Sequence, residues 1–183
     1  MGNSIDEFLE DRRTYTDVVT AGKAVIAALI GHEIKSHRGP APYEDWLRYL
    51  VYRMREGAEN PKDFMGRNLK TRFVTFNFDP FIESKIPLLI NDTYGTPAVE
   101  GFPHVTHVHG KLEEFKGDQA RTNNHWLQWV SGSIDRIKIT SEEIDPTVLA
   151  ESMDAISNAN VVYFLGFSFH PTNEFTGSEY PKP

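Results

Sequence analysis

The sequence contains no cysteine among its 183 residues. This absence excludes disulfide bonds, a thiol nucleophile and any zinc site built on thiolates. Long apolar runs are lacking too: the longest extends only from Ala24 to Ile30, whereas a membrane-spanning helix needs about 20 residues. The charged start of the chain, residues 1–13, lacks the apolar core of a signal peptide. We therefore expect a cytoplasmic protein with no membrane segment.

Positive charge is in short supply. Nineteen Lys and Arg residues stand against 26 Asp and Glu residues, which gives a net charge of −7. A chain of this charge is not expected to bind nucleic acid or anionic membranes in general. Hydrophobic residues make up 39% and charged residues 25%, a balance typical of a globular protein. The length predicts one domain, over residues 1–175, followed by a tail over residues 176–183.

Apolar residues at helical spacing predict three helices, over residues 17–36, 43–55 and 141–158. Before them, Ser4 and Glu7 form a capping box that predicts a short helix. The apolar stripe of the first long helix consists of Val18, Ala21, Val25, Ile26, Leu29, Ile30 and Ile34. We expect this stripe to face the core.

Three segments have the composition of strands. Residues 72–76 form an apolar strand, residues 102–110 alternate and are rich in β-branched side chains, and residues 160–166 form a continuous apolar run ending in glycine. Residues 111–140 are irregular, although residues 134–140 are predicted to be extended. Helices alternating with buried strands predict an α/β fold with helices on both faces of a parallel sheet.

Chemically distinctive residues follow each predicted strand. They are Asn77 with Asp79, His109 with Gly110, and Gly166 with Ser168. In parallel sheets, ligands bind beyond the carboxyl ends of the strands, so these residues are the candidate site.

Each of these residues also has a structural interpretation. Asp79 can cap a helix that begins at Pro80, and Asn77 can tie the turn. His109 is either a general base or a histidine satisfied by a carbonyl group, and the missing side chain of Gly110 admits a ligand or another backbone. A metal site on His107 and His109 is a further alternative.

In chain order, these segments resemble the motifs of the sirtuin superfamily. Residues 75–79 (TFNFD) resemble its Thr-Gln-Asn-Ile-Asp motif, residues 108–110 (VHG) its catalytic His-Gly, and residues 166–169 (GFSF) its Gly-Thr-Ser-Leu segment. The resemblance is closest to the bacterial SIR2-like proteins, in which a helix bearing a glutamate follows the first motif, as Glu83 does here. It extends from Ser4 to about Asn173.

This resemblance implies a Rossmann-like parallel sheet with a helical insert, and NAD as the ligand. The residues it assigns are Asn77 and His109 for catalysis, and Thr75, Phe76, Asp79, Gly166, Phe167, Ser168 and Asn173 for NAD binding. The implied reaction is hydrolysis of NAD to nicotinamide and ADP-ribose, as in bacterial anti-phage SIR2-like proteins. Self-assembly or a partner protein is a further expectation.

Three departures from the family pattern shape the prediction. Phe76 stands where sirtuins have glutamine, and without cysteine there is no zinc ribbon, so neither zinc nor deacetylation is expected. The glycine-rich turn that cradles the pyrophosphate would lie before Ser4, which predicts a domain truncated at its N-terminus. The alternatives are a catalytically inactive SIR2-like module that binds a nucleotide or a protein, and an unrelated enzyme with a metal on His107 and His109.

Overall fold

A computed structural model describes residues 5–36, 46–95, 102–113, 123–139, 142 and 144–165. Within these residues the chain is mostly helical and contains one small parallel sheet. Its elements in chain order are α1 (Ile5–Asp11), α2 (Thr16–Ser36), α3 (Trp46–Met54), α4 (Pro61–Asn68), β1 (Arg72–Thr75), α5 (Phe81–Tyr94), β2 (His104–His107), α6 (Asn123–Ser133), a short 3-10 helix (Ile134–Arg136) and α7 (Pro146–Ser157).

The sheet consists of β1 and β2, which run parallel. Its register pairs Arg72 with His104 and Thr75 with His107. The Val108 N–H donates to the Thr75 carbonyl at 2.9 Å, which extends the pairing one residue past β2. Helix α5 provides the crossover that a parallel pair requires. Both strands therefore end at the same edge of the sheet.

Two apolar clusters form the core. The first consists of Leu47, Val51, Phe64, Met65, Ile86, Leu89, Ile90 and Phe102. The second consists of Leu9, Ile26, Ala27, Leu112, Ile137 and Ile139. Phe73 of β1 packs against the first cluster, and Phe78, just beyond β1, packs against the second. The strand and its exit are thus held by apolar contacts from both clusters.

The helix predicted over residues 17–36 is α2, but part of its predicted apolar stripe is exposed. Val25 is 53% exposed and Leu29 is 62% exposed. Ile26 of the predicted stripe is buried, and the buried face also includes Lys23 and Ala27, which lie outside the stripe. The difference shows that the core face of this helix is not set by side-chain hydrophobicity alone.

Two glycines explain this orientation. A Cβ atom on Gly22 would lie 2.3 Å from Leu9 Cδ2, and one on Gly31 would lie 2.6 Å from Trp129 Cζ3 and 2.7 Å from Trp126 Cη2. Helices α1 and α6 therefore approach α2 at positions that have no side chain. Close backbone approach of this kind allows the neighbouring side chains to pack densely.

The other predicted helices are confirmed where the structure describes them. Within residues 43–55, α3 covers Trp46–Met54 and buries Leu47 and Val51. Within residues 141–158, α7 begins at Pro146, where Asp145 Oδ1 accepts a hydrogen bond from the Thr147 N–H at 2.8 Å. Helix α1 lies where the capping box predicts a short helix, although Ser4 itself is outside the described residues.

Two sequence predictions are wrong. Val161–Leu165 is not a strand and pairs with neither β1 nor β2, and its side chains are 41% to 81% exposed. An apolar run becomes a strand only where a neighbour supplies ladder partners, and neither described strand does so. In the predicted extended segment 134–140, Ile134–Arg136 instead continues α6 as a 3-10 helix. Helix α6 was itself not predicted.

The described residues thus form a mixed α/β fold with a two-stranded parallel sheet. A larger Rossmann-like sheet and the predicted domain bounds remain predictions, and the tail 176–183 lies outside the described residues. None of the helices in this part of the chain is long and apolar enough to cross a membrane.

Candidate functional site

The residues after β1 turn sharply into α5. The Asn77 N–H donates to Thr75 Oγ1 at 3.1 Å, and the Phe81 N–H donates to Asp79 Oδ1 at 3.0 Å. The second bond satisfies a donor of the first turn of α5, as the predicted capping role of Asp79 requires, although α5 begins at Phe81 and Pro80 occupies its N-cap position. The Asn77 side chain is exposed and forms no hydrogen bond with another described residue. Its amide is therefore available to a ligand.

The residues after β2 lie next to this turn. The ring centroids of His109 and Phe76 are 5.6 Å apart and tilted by 49°. The His109 carbonyl accepts a hydrogen bond from the Lys138 N–H at 2.8 Å, which ties this turn to the chain after α6. The fold therefore brings the first two predicted motifs together at the carboxyl ends of two adjacent strands. We call Asn77, Asp79 and His109 the strand-end site.

Gly110 has a structural task at this position. Its φ of 96° lies in the left-handed region that side chains other than glycine rarely adopt. A Cβ atom here would lie 1.8 Å from the Arg136 carbonyl oxygen. Of the two alternatives predicted for this glycine, the structure thus shows the close approach of another backbone.

His107, in contrast to His109, is almost completely buried, with 8% of the residue exposed. Its Nδ1 lies 2.8 Å from the Asn77 carbonyl oxygen and its Nε2 lies 2.8 Å from Glu83 Oε1. Both ring nitrogens are therefore engaged, which leaves none for a metal. Among the described residues, no group of three or more His, Asp or Glu side chains is arranged to hold a metal ion.

Glu83, in the first turn of α5, is the electrostatic centre of this region. Its Oε1 accepts hydrogen bonds from His107 and from Lys111 Nζ, the latter at 2.7 Å. Burial opposes ionisation of the carboxyl group and is the largest single influence, but the hydrogen bonds from His107 and Lys111 outweigh it. The pKa of Glu83 is consequently lowered from 4.5 to about 2. The carboxylate is ionised at neutral pH.

The partnership of Glu83, His107 and Lys111 was missed in the sequence. The sequence presents Glu83 only as a feature of the family resemblance, and His107 only as a candidate metal ligand. No local pattern reveals this cluster, because 24 residues separate Glu83 from His107. The available signal was that His107 lies on a predicted strand, where a buried histidine needs polar partners.

The third predicted motif cannot be compared with the structure. Gly166, Phe167, Ser168 and Asn173 lie outside the described residues. Two of the other predicted NAD contacts, Thr75 at the end of β1 and Phe76 just after it, are half-buried. The structure thus describes the positions assigned to the nicotinamide side and leaves the adenosine side open.

Two of the cavities that border the described residues are not lined by the strand-end site. One, of about 480 Å³, lies where α3 and α5 end and includes Tyr52, Arg55 and Tyr94. The other, of about 340 Å³, lies beside β2 and includes Glu83 and Lys111. A ligand at the strand-end site would therefore occupy neither of these two cavities.

Comparison with known proteins does not assign the chain to a family. The chain matches no protein-family model, no curated protein and no solved structure. The resemblance to SIR2-like proteins therefore depends on the order and content of the three motifs.

Proposed function

We propose that the chain is a SIR2-like domain with a Rossmann-like sheet that binds NAD and hydrolyses it to nicotinamide and ADP-ribose. The observation that carries this proposal is the meeting of the first two motifs at one sheet edge. Phe76 and His109, which belong to different motifs, are in ring contact, and Asn77 presents an exposed amide beside them. Carboxyl ends of parallel strands are the usual ligand edge of α/β folds.

In the proposed reaction, water adds to the ribose carbon while the bond between that carbon and nicotinamide breaks. Nicotinamide leaves with the bonding electrons, and positive charge develops on the sugar in the transition state. The Asn77 amide orients the ribose or the attacking water, and His109 accepts the proton that water releases. Asp79 contacts the carboxamide, and Gly166, Phe167, Ser168 and Asn173 contact the adenosine half.

Nicotinamide release from NAD by the purified chain tests this proposal. We expect His109→Ala and Asn77→Ala each to lower the rate by at least about 100-fold, because each removes a group that acts in the transition state. His32→Ala is the matched control, since His32 is an exposed histidine on α2 and its loss should leave the rate unchanged. Circular dichroism should show that all variants keep the parent fold. Release that persists in both site variants would exclude this site.

A second candidate is a catalytically inactive module that binds a nucleotide or a partner protein. Two observations favour it: Asp79 caps α5, and Gly110 accommodates the Arg136 carbonyl, so two motif positions have structural tasks. This candidate predicts that NAD raises the melting temperature without nicotinamide release. If the chain hydrolyses NAD, we propose a role in anti-phage defence, together with self-assembly or a partner protein.

A further inference from the structure

The backbone carbonyl of Asn77 is hydrogen-bonded to His107, which in turn is hydrogen-bonded to Glu83. His107 lies between the Asn77 carbonyl, 2.8 Å from Nδ1, and Glu83 Oε1, 2.8 Å from Nε2. The side chain of His107 is 5% exposed and that of Glu83 is 20% exposed. Three elements thus converge here: the exit of β1, the end of β2 and the first turn of α5.

Hydrogen bonding determines the role of each atom in this pair. The Asn77 carbonyl and the ionised Glu83 carboxylate only accept hydrogen bonds, so His107 is the donor in this pair. Charge-assisted bonds of this kind are shorter and stronger than neutral ones. Lys111 Nζ donates to the same Glu83 oxygen from the outer side at 2.7 Å, with its side chain 47% exposed. The carboxylate is therefore fixed by two donors.

We propose that Glu83 and His107 are positioning residues for Asn77, with Lys111 supporting Glu83. This inference depends on the proposed function, because it concerns the reaction assigned to Asn77. Neither Glu83 nor His107 has a part in the chemistry proposed above. They fix the carbonyl of Asn77, and through it the direction of the amide side chain that faces the ligand.

The other hydrogen bonds of this turn hold the residues around the Asn77 carbonyl but not the carbonyl itself. The Asn77 N–H donates to Thr75 Oγ1, and the Phe78 carbonyl accepts from the Leu112 N–H at 2.8 Å. Among the described residues, His107 is the hydrogen-bond partner seen for the Asn77 carbonyl. Without it, the peptide unit between Asn77 and Phe78 gains rotational freedom. A displacement of about 1 Å at a catalytic group can lower a rate by about 100-fold.

Glu83→Gln tests this inference, because it keeps the size of the side chain and removes its charge. Hydrogen–deuterium exchange is measured on peptides covering residues 74–80, independently of any activity. We expect exchange in this turn to become about tenfold faster, as a charge-assisted bond is replaced by a weaker neutral one. If the parent releases nicotinamide, we also expect kcat to fall about tenfold while KM for NAD changes by less than about threefold.

Asp63→Asn is the matched control. Asp63 is also a carboxylate in the first turn of a helix, and it forms an ion pair with Arg67 at 3.3 Å. Its replacement should leave both the exchange of residues 74–80 and the kinetics unchanged. An equal effect from Asp63→Asn would show general loosening of the fold and would overturn the positioning role.

Lys111→Gln is the second variant, and it tests the same inference if Glu83→Gln does not fold. Its side chain is half exposed, so the fold should persist, and we expect about threefold faster exchange in the turn because Glu83 loses one of its two donors. Unchanged exchange in every folded variant would overturn the inference even if the parent hydrolyses NAD. Faster exchange with no nicotinamide release by the parent would instead support the positioning contact and count against the proposed function.

Discussion

At the scale of single residues, the sequence reveals local roles and conceals long-range ones. The capping role of Asp79 was predictable because its partner, the Phe81 N–H, is only two residues away. The pairing of His107 with Glu83 was not, because the fold must first bring β2 against α5. The pKa of Glu83 is likewise a property of the folded chain alone. A consequence for stability in acid follows.

We expect Glu83 to stabilise the folded chain above about pH 5 and to lose that effect as the pH falls towards 2. The folded-state pKa is about 2, below the ordinary 4.5, so folding favours the ionised form, and protonation removes the advantage. The difference of about 2.5 pKa units corresponds to about 3–4 kcal/mol, of which about 1–2 kcal/mol is lost by pH 3.5.

Urea unfolding of the parent and Glu83→Gln over a pH series measures this contribution. The gap in unfolding free energy between the two should narrow as the pH decreases, since the glutamine does not titrate. Lys111→Gln removes one of the two hydrogen-bond donors to the Glu83 carboxylate. We therefore expect it to lower the unfolding free energy of the parent too, but by less than Glu83→Gln does. A gap between the parent and Glu83→Gln that is constant from pH 6 to pH 3.5 would contradict the prediction.

At the scale of elements, hydrophobic periodicity predicts which segments are helices more reliably than which face they bury. Helix α2 was predicted within one residue of its bounds, yet Val25 and Leu29 of its predicted stripe are exposed. The reason is that α1 and α6 pack at Gly22 and Gly31, and an apolar count gives glycine no weight. Helix α6 was missed because its polar residues obscure the helical period.

Gly31→Ala tests whether the contact between α2 and α6 sets this face. The new methyl group would lie 2.6 Å from Trp129 Cζ3, and the stacked rings of Trp126 and Trp129 leave it little room. Overpacking costs about 1–3 kcal/mol, which exceeds the gain of roughly 1 kcal/mol when alanine replaces a helical glycine. We expect net destabilisation, measured by urea unfolding.

Gly66→Ala is the matched control in α4. Apart from its chain neighbours and its own helix backbone, no atom of the described residues lies within 4 Å of the position of its Cβ, so the alanine should stabilise the chain by about 0.5–1 kcal/mol. Opposite signs for the two substitutions would confirm close packing at Gly31. Stabilisation by Gly31→Ala would show that α6 does not approach α2 at this position.

At the scale of the whole molecule, the sequence predicted a mixed α/β fold correctly, whereas one of its three predicted strands is not formed. Two strands and their crossover are present, with the strand-end site at their shared edge. The predicted third strand is not formed, since Val161–Leu165 is exposed and pairs with neither strand. Strand composition is a local property, whereas strand pairing depends on partners distant in the sequence.

Val162→Ala tests whether residues 160–166 form a buried strand, as the sequence predicts, or whether this segment is exposed, as the structure shows for Val161–Leu165. Val162 is 41% exposed, so its truncation should change the unfolding free energy by less than about 0.5 kcal/mol. Val51→Ala is the matched control, because Val51 is 5% exposed within the first core cluster and should cost about 2 kcal/mol. Urea unfolding under identical conditions compares the two. Equal costs would mean that Val162 is buried, as the strand predicted over residues 160–166 requires.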